Sequence, residues 1–220
     1  IPKPFVGHNQ IIQTNAIKSW VQVCPECQVI LLGDDKGTTG VAAELGVLHI
    51  PDVKRNEYGT PLLDSMFNLA QSVAKYQLMC YINADIILLS NFLPAVKRVP
   101  DYPLLVVGQR WDMEVDEVVD FKDDHWEFKL RAQLAKYGQL HPRSGIDYFI
   151  YSRGLFEDIL PFAIGRSTWD NWLIYQARAS KATVIDATQV ITAVHQNHDY
   201  SHSTGGETGI WNGPEATRNW

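Results

Sequence analysis

Apolar residues recur every three or four positions between Ile11 and Val21, at Ile12, Ala16, Ile17 and Trp20. That is the period of a helix with one face turned to a core. Past Pro25 the pattern changes to a short continuous run, Val29-Ile-Leu-Leu32, which predicts a buried strand stopping at Gly33-Asp34-Asp35. Residues 38–45 suit a short helix closed by Gly46, and 47–50 a second short strand, so the chain opens as β-α-β. Thr60-Pro61 predicts an N-cap with proline at the first helical position, and Leu62, Leu63, Met66, Phe67, Ala70 and Val73 share one face of the helix that follows. This helix leads into the longest apolar stretch, residues 78–89, interrupted only by Asn83-Ala84-Asp85.

Further on, residues 104–107 read as another buried strand, ending in Gly108-Gln-Arg-Trp-Asp112, and the acidic segment 112–124 reads as an exposed loop. A helix is predicted over 126–137, a strand over 147–151, and a helix from Ser167-Thr-Trp-Asp170 to about Ala179. Segments 183–186 and 190–194 supply the last strands, and the aperiodic tail from Asn197 to Trp220 reads as a loop able to fold over a site. Strands alternating with helices predict an α/β fold, a single domain with a mostly parallel central sheet flanked by helices. Such sheets bind ligands outside the carboxyl ends of their strands. The polar groups predicted there are Asp34 and Asp35, Asn83 and Asp85, Arg110 and Asp112, Asp147, and finally His195 and His198.

Composition narrows the partners. A chain of 220 residues can bury its core as one domain. Its net charge of −6, with no basic block, makes nucleic acid and anionic membrane surfaces poor candidate partners. No apolar run approaches the ~20 residues that span a bilayer. Cys24 and Cys27 form a lone Cys-Pro-Glu-Cys, read as two ordinary thiols because a zinc site needs four ligands. The sequence has no Asn-x-Ser/Thr site, which favours the cytoplasm over the Golgi lumen. The glycine-rich loops of Rossmann dehydrogenases and P-loop ATPases are missing, as are the hydrolase nucleophile elbow and His-Glu-x-x-His. A metal-bridged diphosphate needs hard oxygen ligands at a strand edge, often with an imidazole, and Asp85 with His195 or His198 meets that need.

Taken together, these residues resemble the nucleotide-sugar glycosyltransferases of the GT-A fold. The likeness rests on the acidic pair after an early strand (Gly33-Asp34-Asp35), the strand carrying Asn83-Ala84-Asp85, the motif Trp169-Asp170-Asn171-Trp172-Leu173 opening a late helix, and His195-Gln-Asn-His198 near the C-terminus. It implies a nucleotide-binding part over about 1–112 and an acceptor-binding part over about 113–220. It further implies transfer of a sugar from a nucleoside-diphosphate donor, UDP-sugars favoured, to a hydroxyl of a glycan or lipid. Asp85, His198 and His195 would hold Mn²⁺ or Mg²⁺, while Asp34, Asp35, Arg55, Asn83 and Arg110 would meet the donor. Asp170 or Asp147 would serve as base toward the acceptor in an inverting enzyme, or stabilise an oxocarbenium-like centre in a retaining one. The family's triplet is usually Asp-x-Asp, and here its first carboxylate is an amide.

Each residue also has a plainer reading. Asp34 and Asp35 suit a turn before Lys36-Gly37, Arg55 a solvated surface, and Asp170 a capping box with Ser167. His195 and His198, three apart, cannot both point one way along a regular strand, which favours His198 as ligand, with His202 a third option. Trp169 and Trp172 suit stacking on sugar rings, and Trp211 and Arg218 suit a lid over the diphosphate. A nucleotidyltransferase making a nucleotide sugar is the alternative of similar fold. Its glycine-rich loop would follow the first strand, which is either cut off or lies at Ile1 to Phe5, where Pro2-Lys3-Pro4 shows none. A non-catalytic carbohydrate-binding module, suggested by seven tryptophans and nine tyrosines, is the alternative of a different class.

Overall fold

The computed structural model describes residues 1–100, 103–198 and 206–220. The first amphipathic period folds as α1 (His8–Val23), with Ile12, Ala16, Ile17 and Trp20 buried as their spacing predicts. Cys24 follows it and is joined to Cys27 as a disulfide. The two are therefore not the free thiols expected, because the turn through Pro25 brings their Cα atoms to 5.3 Å, within bridging range. Next come β1 (Ile30–Leu32), α2 (Thr38–Leu45) and β2 (Leu48–Ile50), and β1 and β2 pair in parallel as a β-α-β unit should. Gly46 closes α2 with φ 65°, a left-handed conformation that glycine adopts without a side-chain clash.

The middle of the chain contains α3 (Leu63–Val73), β3 (Leu78–Ile82), β4 (Ile86–Leu88), α4 (Phe92–Val96), β5 (Leu104–Val107), β6 (Trp111–Met113), α5 (Trp126–Tyr137) and β7 (Gln139–Leu140). After them come β8 (Tyr148–Ser152), α6 (Trp169–Ala179), β9 (Thr183–Asp186), β10 (Ala193–Gln196), α7 (Gly206–Asn212) and α8 (Pro214–Asn219). The tail predicted as a loop thus contains two short helices, α8 opening with Pro214 at its start, where the missing N–H is no loss. Helix α3 begins at Leu63 rather than at Thr60-Pro61. The Thr60 amide is already bonded to Asn56 Oδ1, and Pro61 and Leu62 form bridges with Arg55 and Ala163 that hold the chain extended.

The sheet expectation is overturned. Instead of one mostly parallel sheet there are, among the described residues, three: β1-β2, the mixed sheet β3-β8-β5-β9 and the mixed sheet β4-β10-β6-β7. Strand β8 runs antiparallel to both β3 and β5, and β10 runs antiparallel to β4. Two physical features explain the error. Strand β8 is buried on both faces, so it is as uniformly apolar as a central parallel strand and direction leaves no mark on its sequence. Moreover, only Asn83, Ala84 and Asp85 separate β3 from β4, too few for the crossover of a dozen or more residues that a parallel neighbour requires. The apolar stretch 78–89 therefore leaves one sheet and enters the other at the polar triplet.

Alternation along β5 and β8 divides the core. Leu104, Val106, Tyr148 and Ile150 face α1 and β4, while Leu105, Val107, Phe149 and Tyr151 face α3 and α6. A third cluster seats Trp126, Leu130 and Leu134 of α5 on Ile87, Met113 and Val194. Each fully buried side chain of this kind contributes about 1.5–3 kcal/mol relative to exposure. Among the described residues no helix is long and apolar enough to cross a membrane.

Candidate metal centre at the junction of two sheets

The triplet between β3 and β4 is held in a tight turn, with the Ile86 amide donating to the Asn83 carbonyl at 3.2 Å and the Asn83 amide to Asp147 O at 3.0 Å. Gln196, fully buried at the end of β10, fixes the Asp85 backbone from the other sheet. Its main-chain and side-chain nitrogens both donate to Asp85 O, at 3.2 and 3.0 Å. Asn15 of α1 in turn donates to Gln196 Oε1 at 3.0 Å. The backbone around Asp85 is thus fixed from three sides, and its carboxylate points toward the C-terminal histidines.

His198 Nε2 lies 3.2 Å from Asp85 Oδ2, and His195 Nε2 lies 4.0 Å from the same oxygen. One ligand atom from each of the three residues falls within 4.8 Å of the others. His195 and His198, both named as ligands from the sequence, come together with Asp85. Strand β10 ends at Gln196, and the chain beyond it turns, so His198 is released from strand geometry and both rings converge. His202 lies outside the described residues. The second oxygen, Asp85 Oδ1, is buried and has no hydrogen-bond partner among the described residues. Burial alone would push the Asp85 carboxyl up, but the hydrogen bond with His198 and the charges of His195, His198 and Lys3 outweigh it. Together they hold it well below the usual carboxylate range.

A second layer orients the first. Asp112 Oδ1 lies 3.1 Å from His195 Nδ1 as a charge contact without hydrogen-bond alignment, and the other ring nitrogen is turned to Asp85. Arg110 Nε donates to Asp112 at 2.9 Å, and His141 Nδ1 lies 2.5 Å from its other oxygen. Burial opposes ionisation of Asp112, yet the close His195 and His141 rings and the Arg110 charge bring its carboxyl well below the usual range. Burial likewise disfavours the charged His195, while Asp112 and Asp85 more than offset it and shift the imidazole upward.

Asp147 and Asn83 belong to this layer. Arg110 forms an ion pair with Asp147, and Asn83 Nδ2 donates to Asp147 at 2.5 Å while Asn83 Oδ1 accepts from the Tyr81 hydroxyl at 3.0 Å. Both ends of the Asn83 amide and both Asp147 oxygens are therefore engaged within the protein. Asp170, second residue of α6, sits near enough for the Asp147 charge to act on it. Burial first, then that repulsion, raise its carboxyl against the hydrogen bonds from the Asn171 and Asp170 amides. The capping box with Ser167 does not form. The N-cap residue is Thr168, at φ 93°, with no side-chain cap, and Ser167 Oγ is buried without a partner among the described residues.

Other predicted residues lie elsewhere. Asp34 and Asp35 pair with Arg55 at 3.3 and 2.8 Å, forming a separate cluster beyond β1 in which the guanidinium already has two carboxylates. Trp169 is buried against Tyr81 and Phe149 and offers no free face to a sugar, whereas Trp172 meets Phe162 edge-on and is only partly buried. Arg218 pairs with Glu57 and lies over the Tyr58 ring, while Trp211 is exposed. His141, Gln196 and Asn15 escaped the sequence reading. Asn15 left a faint signal, as a polar residue set between Ile12 and Ala16 in the amphipathic period.

The comparisons with known proteins are silent: no family model matches the sequence, and no curated protein does either.

Proposed function

We propose that the chain is a glycosyltransferase that uses a nucleoside-diphosphate sugar and a divalent cation held by Asp85, His195 and His198. The observation that carries this reading is the buried, unpartnered Asp85 Oδ1 beside two convergent imidazoles, in a setting where Asp112, Asp147 and Asp170 outnumber Arg110. A carboxylate with two imidazoles suits Mn²⁺ better than Mg²⁺, which prefers oxygen ligands. When bound, the cation would neutralise charge on the departing diphosphate. Asp112 and Arg110 hold His195 in the ligating orientation, and Asn83 and Arg110 hold Asp147. Asp170, its carboxyl raised by burial, is the better-placed group to take a proton from an acceptor hydroxyl near neutral pH. Asp147, with both oxygens engaged, is a positioning residue in this scheme.

The test is a panel of UDP- and GDP-sugars assayed for nucleotide release with and without Mn²⁺, on wild type and Asp85→Ala. The expected result is slow donor hydrolysis that needs Mn²⁺ and is lost in the variant. No binding or hydrolysis of any donor would remove the transferase reading. The same donor set also suits Fe²⁺ in oxygen-activating sites. Oxygen consumption dependent on Fe²⁺, with no response to sugar nucleotides, would assign the centre to that chemistry instead.

A further inference from the structure

On its way into α6 the chain passes through Thr168 at φ 93°, a left-handed conformation that a β-branched residue avoids. Such a conformation persists only where the surroundings over-determine it. The threonine side chain is not what does so, because its hydroxyl is buried without a hydrogen-bond partner among the described residues. The contacts come from the C-terminal helices instead. Asn219, the last residue of α8 and itself buried, donates through Nδ2 to Ser167 O at 3.1 Å and to Ala163 O at 3.0 Å. Its Oδ1 accepts from the Ala163 amide at 3.0 Å, so one side chain brackets both ends of residues 163–167. The Ser167 amide donates to Ile210 O of α7 at 3.4 Å, and Arg166 pairs with Glu215 of α8.

The carbonyl that Asn219 holds belongs to the peptide bond entering Thr168. The carbonyl leaving Thr168 is held as well, accepting from the Trp172 amide at 2.9 Å within α6. Thr168 therefore lies between two fixed peptides, and their relative orientation sets its backbone angles. Asp170 stands two residues further on. Its carboxyl feels the charge of Asp147, just ahead of β8, and acts in turn on the Tyr81 phenol of β3. A rotation at Thr168 tilts the first turn of α6 and carries that carboxyl with it.

We propose that Asn219 is a positioning residue for Asp170: through the Ser167 carbonyl it holds Thr168 left-handed and so aims the first turn of α6 at the metal centre. The inference rests on the reading of Asp170 as the base, although the placement of its carboxyl can be measured independently of that reading. The chain beyond β10 then supplies both a candidate cation ligand, His198, and the anchor of the base.

Two substitutions test this. Asn219→Ala removes the anchor, and Thr168→Gly removes the need for it, because glycine adopts φ 93° without a side-chain clash. The Asp170 carboxyl is titrated by carbon-detected NMR in wild type, Asn219→Ala and the double variant, well below each melting temperature. Burial first, then Asp147, holds the wild-type carboxyl above an ordinary aspartate. In Asn219→Ala it should fall toward the free value of about 3.9, and in the double variant it should return toward wild type. Nucleotide release from whichever UDP- or GDP-sugar is hydrolysed with Mn²⁺ supplies the second readout. Its kcat should drop about 10–100-fold in Asn219→Ala with KM for the donor held, and recover in the double variant. An unchanged Asp170 titration in folded Asn219→Ala would overturn the proposal, as would a shift that glycine at 168 does not reverse. Failure of both variants to fold would overturn it too, leaving Asn219 a residue of the fold alone. A titration that shifts and is restored, in a protein that hydrolyses no donor, would uphold the positioning and remove only the transferase reading.

Discussion

Asp85 presents two oxygens in different circumstances. Oδ2 meets His198 at 3.2 Å, and Oδ1 is buried with nothing to accept from among the described residues. An unsatisfied buried carboxylate oxygen is costly unless a ligand satisfies it. Behind the second ligand stands Asp112, in charge contact 3.1 Å from the far nitrogen of His195. The Asp112→Asn variant should therefore weaken Mn²⁺ binding about 10–100-fold, read by titration calorimetry, without altering the 1:1 stoichiometry. Unchanged affinity would show that His195 needs no orienting partner. At this scale the sequence was informative about residue type and nearly mute about partnership. Asp85 is conspicuous because it interrupts an apolar run. That Asn83 and Arg110 both meet Asp147 depends on contacts across 64 and 37 residues, which no local pattern encodes.

Elements were legible where their period was long. The spacing over 126–137 matches α5 end to end, and β5 and β9 fall where their apolar runs place them. Strand direction was not legible, since two-sided burial gives β8 the same composition in either direction. Packing between β5 and β8 yields a sharp expectation just beyond the strand end. A Cβ on Gly108 would collide with the Tyr148 hydroxyl, which is buried and has no partner among the described residues. Gly108→Ala should cost about 1–3 kcal/mol by overpacking. Tyr148→Phe should be close to neutral because no hydrogen bond is lost. Urea denaturation of the double variant should show a loss smaller than the sum by at least about 0.5 kcal/mol. Strict additivity would mean that the backbone, not the hydroxyl, sets the limit at Gly108.

Across the whole molecule, the C-terminus is tied back by Glu215 of α8, which accepts from Asn56 at 2.6 Å and from Arg166 at 2.5 Å. Burial opposes its ionisation, but bonds from Asn56, Thr60 and Arg166 prevail and lower its carboxyl. A lowered folded value means the stabilisation is complete above the unfolded carboxylate's pKa of about 4.3 and disappears as pH falls through the folded one. The gap in melting temperature between wild type and Glu215→Gln should accordingly be constant from pH 7 to 5 and close below about pH 4. A gap that persists in acid would attribute the tie to packing alone. The three-residue turn at Asn83-Ala84-Asp85 has a mechanical side as well. Asp147 leads into β8 of one sheet, His195 belongs to β10 of the other, and Asp85 stands on the seam between them. A cation gripped by Asp85 and the two histidines would act as a rivet through that seam. Any shear of one sheet against the other would then loosen the grip, and ligand occupancy would be felt as stiffness on both sides of the joint.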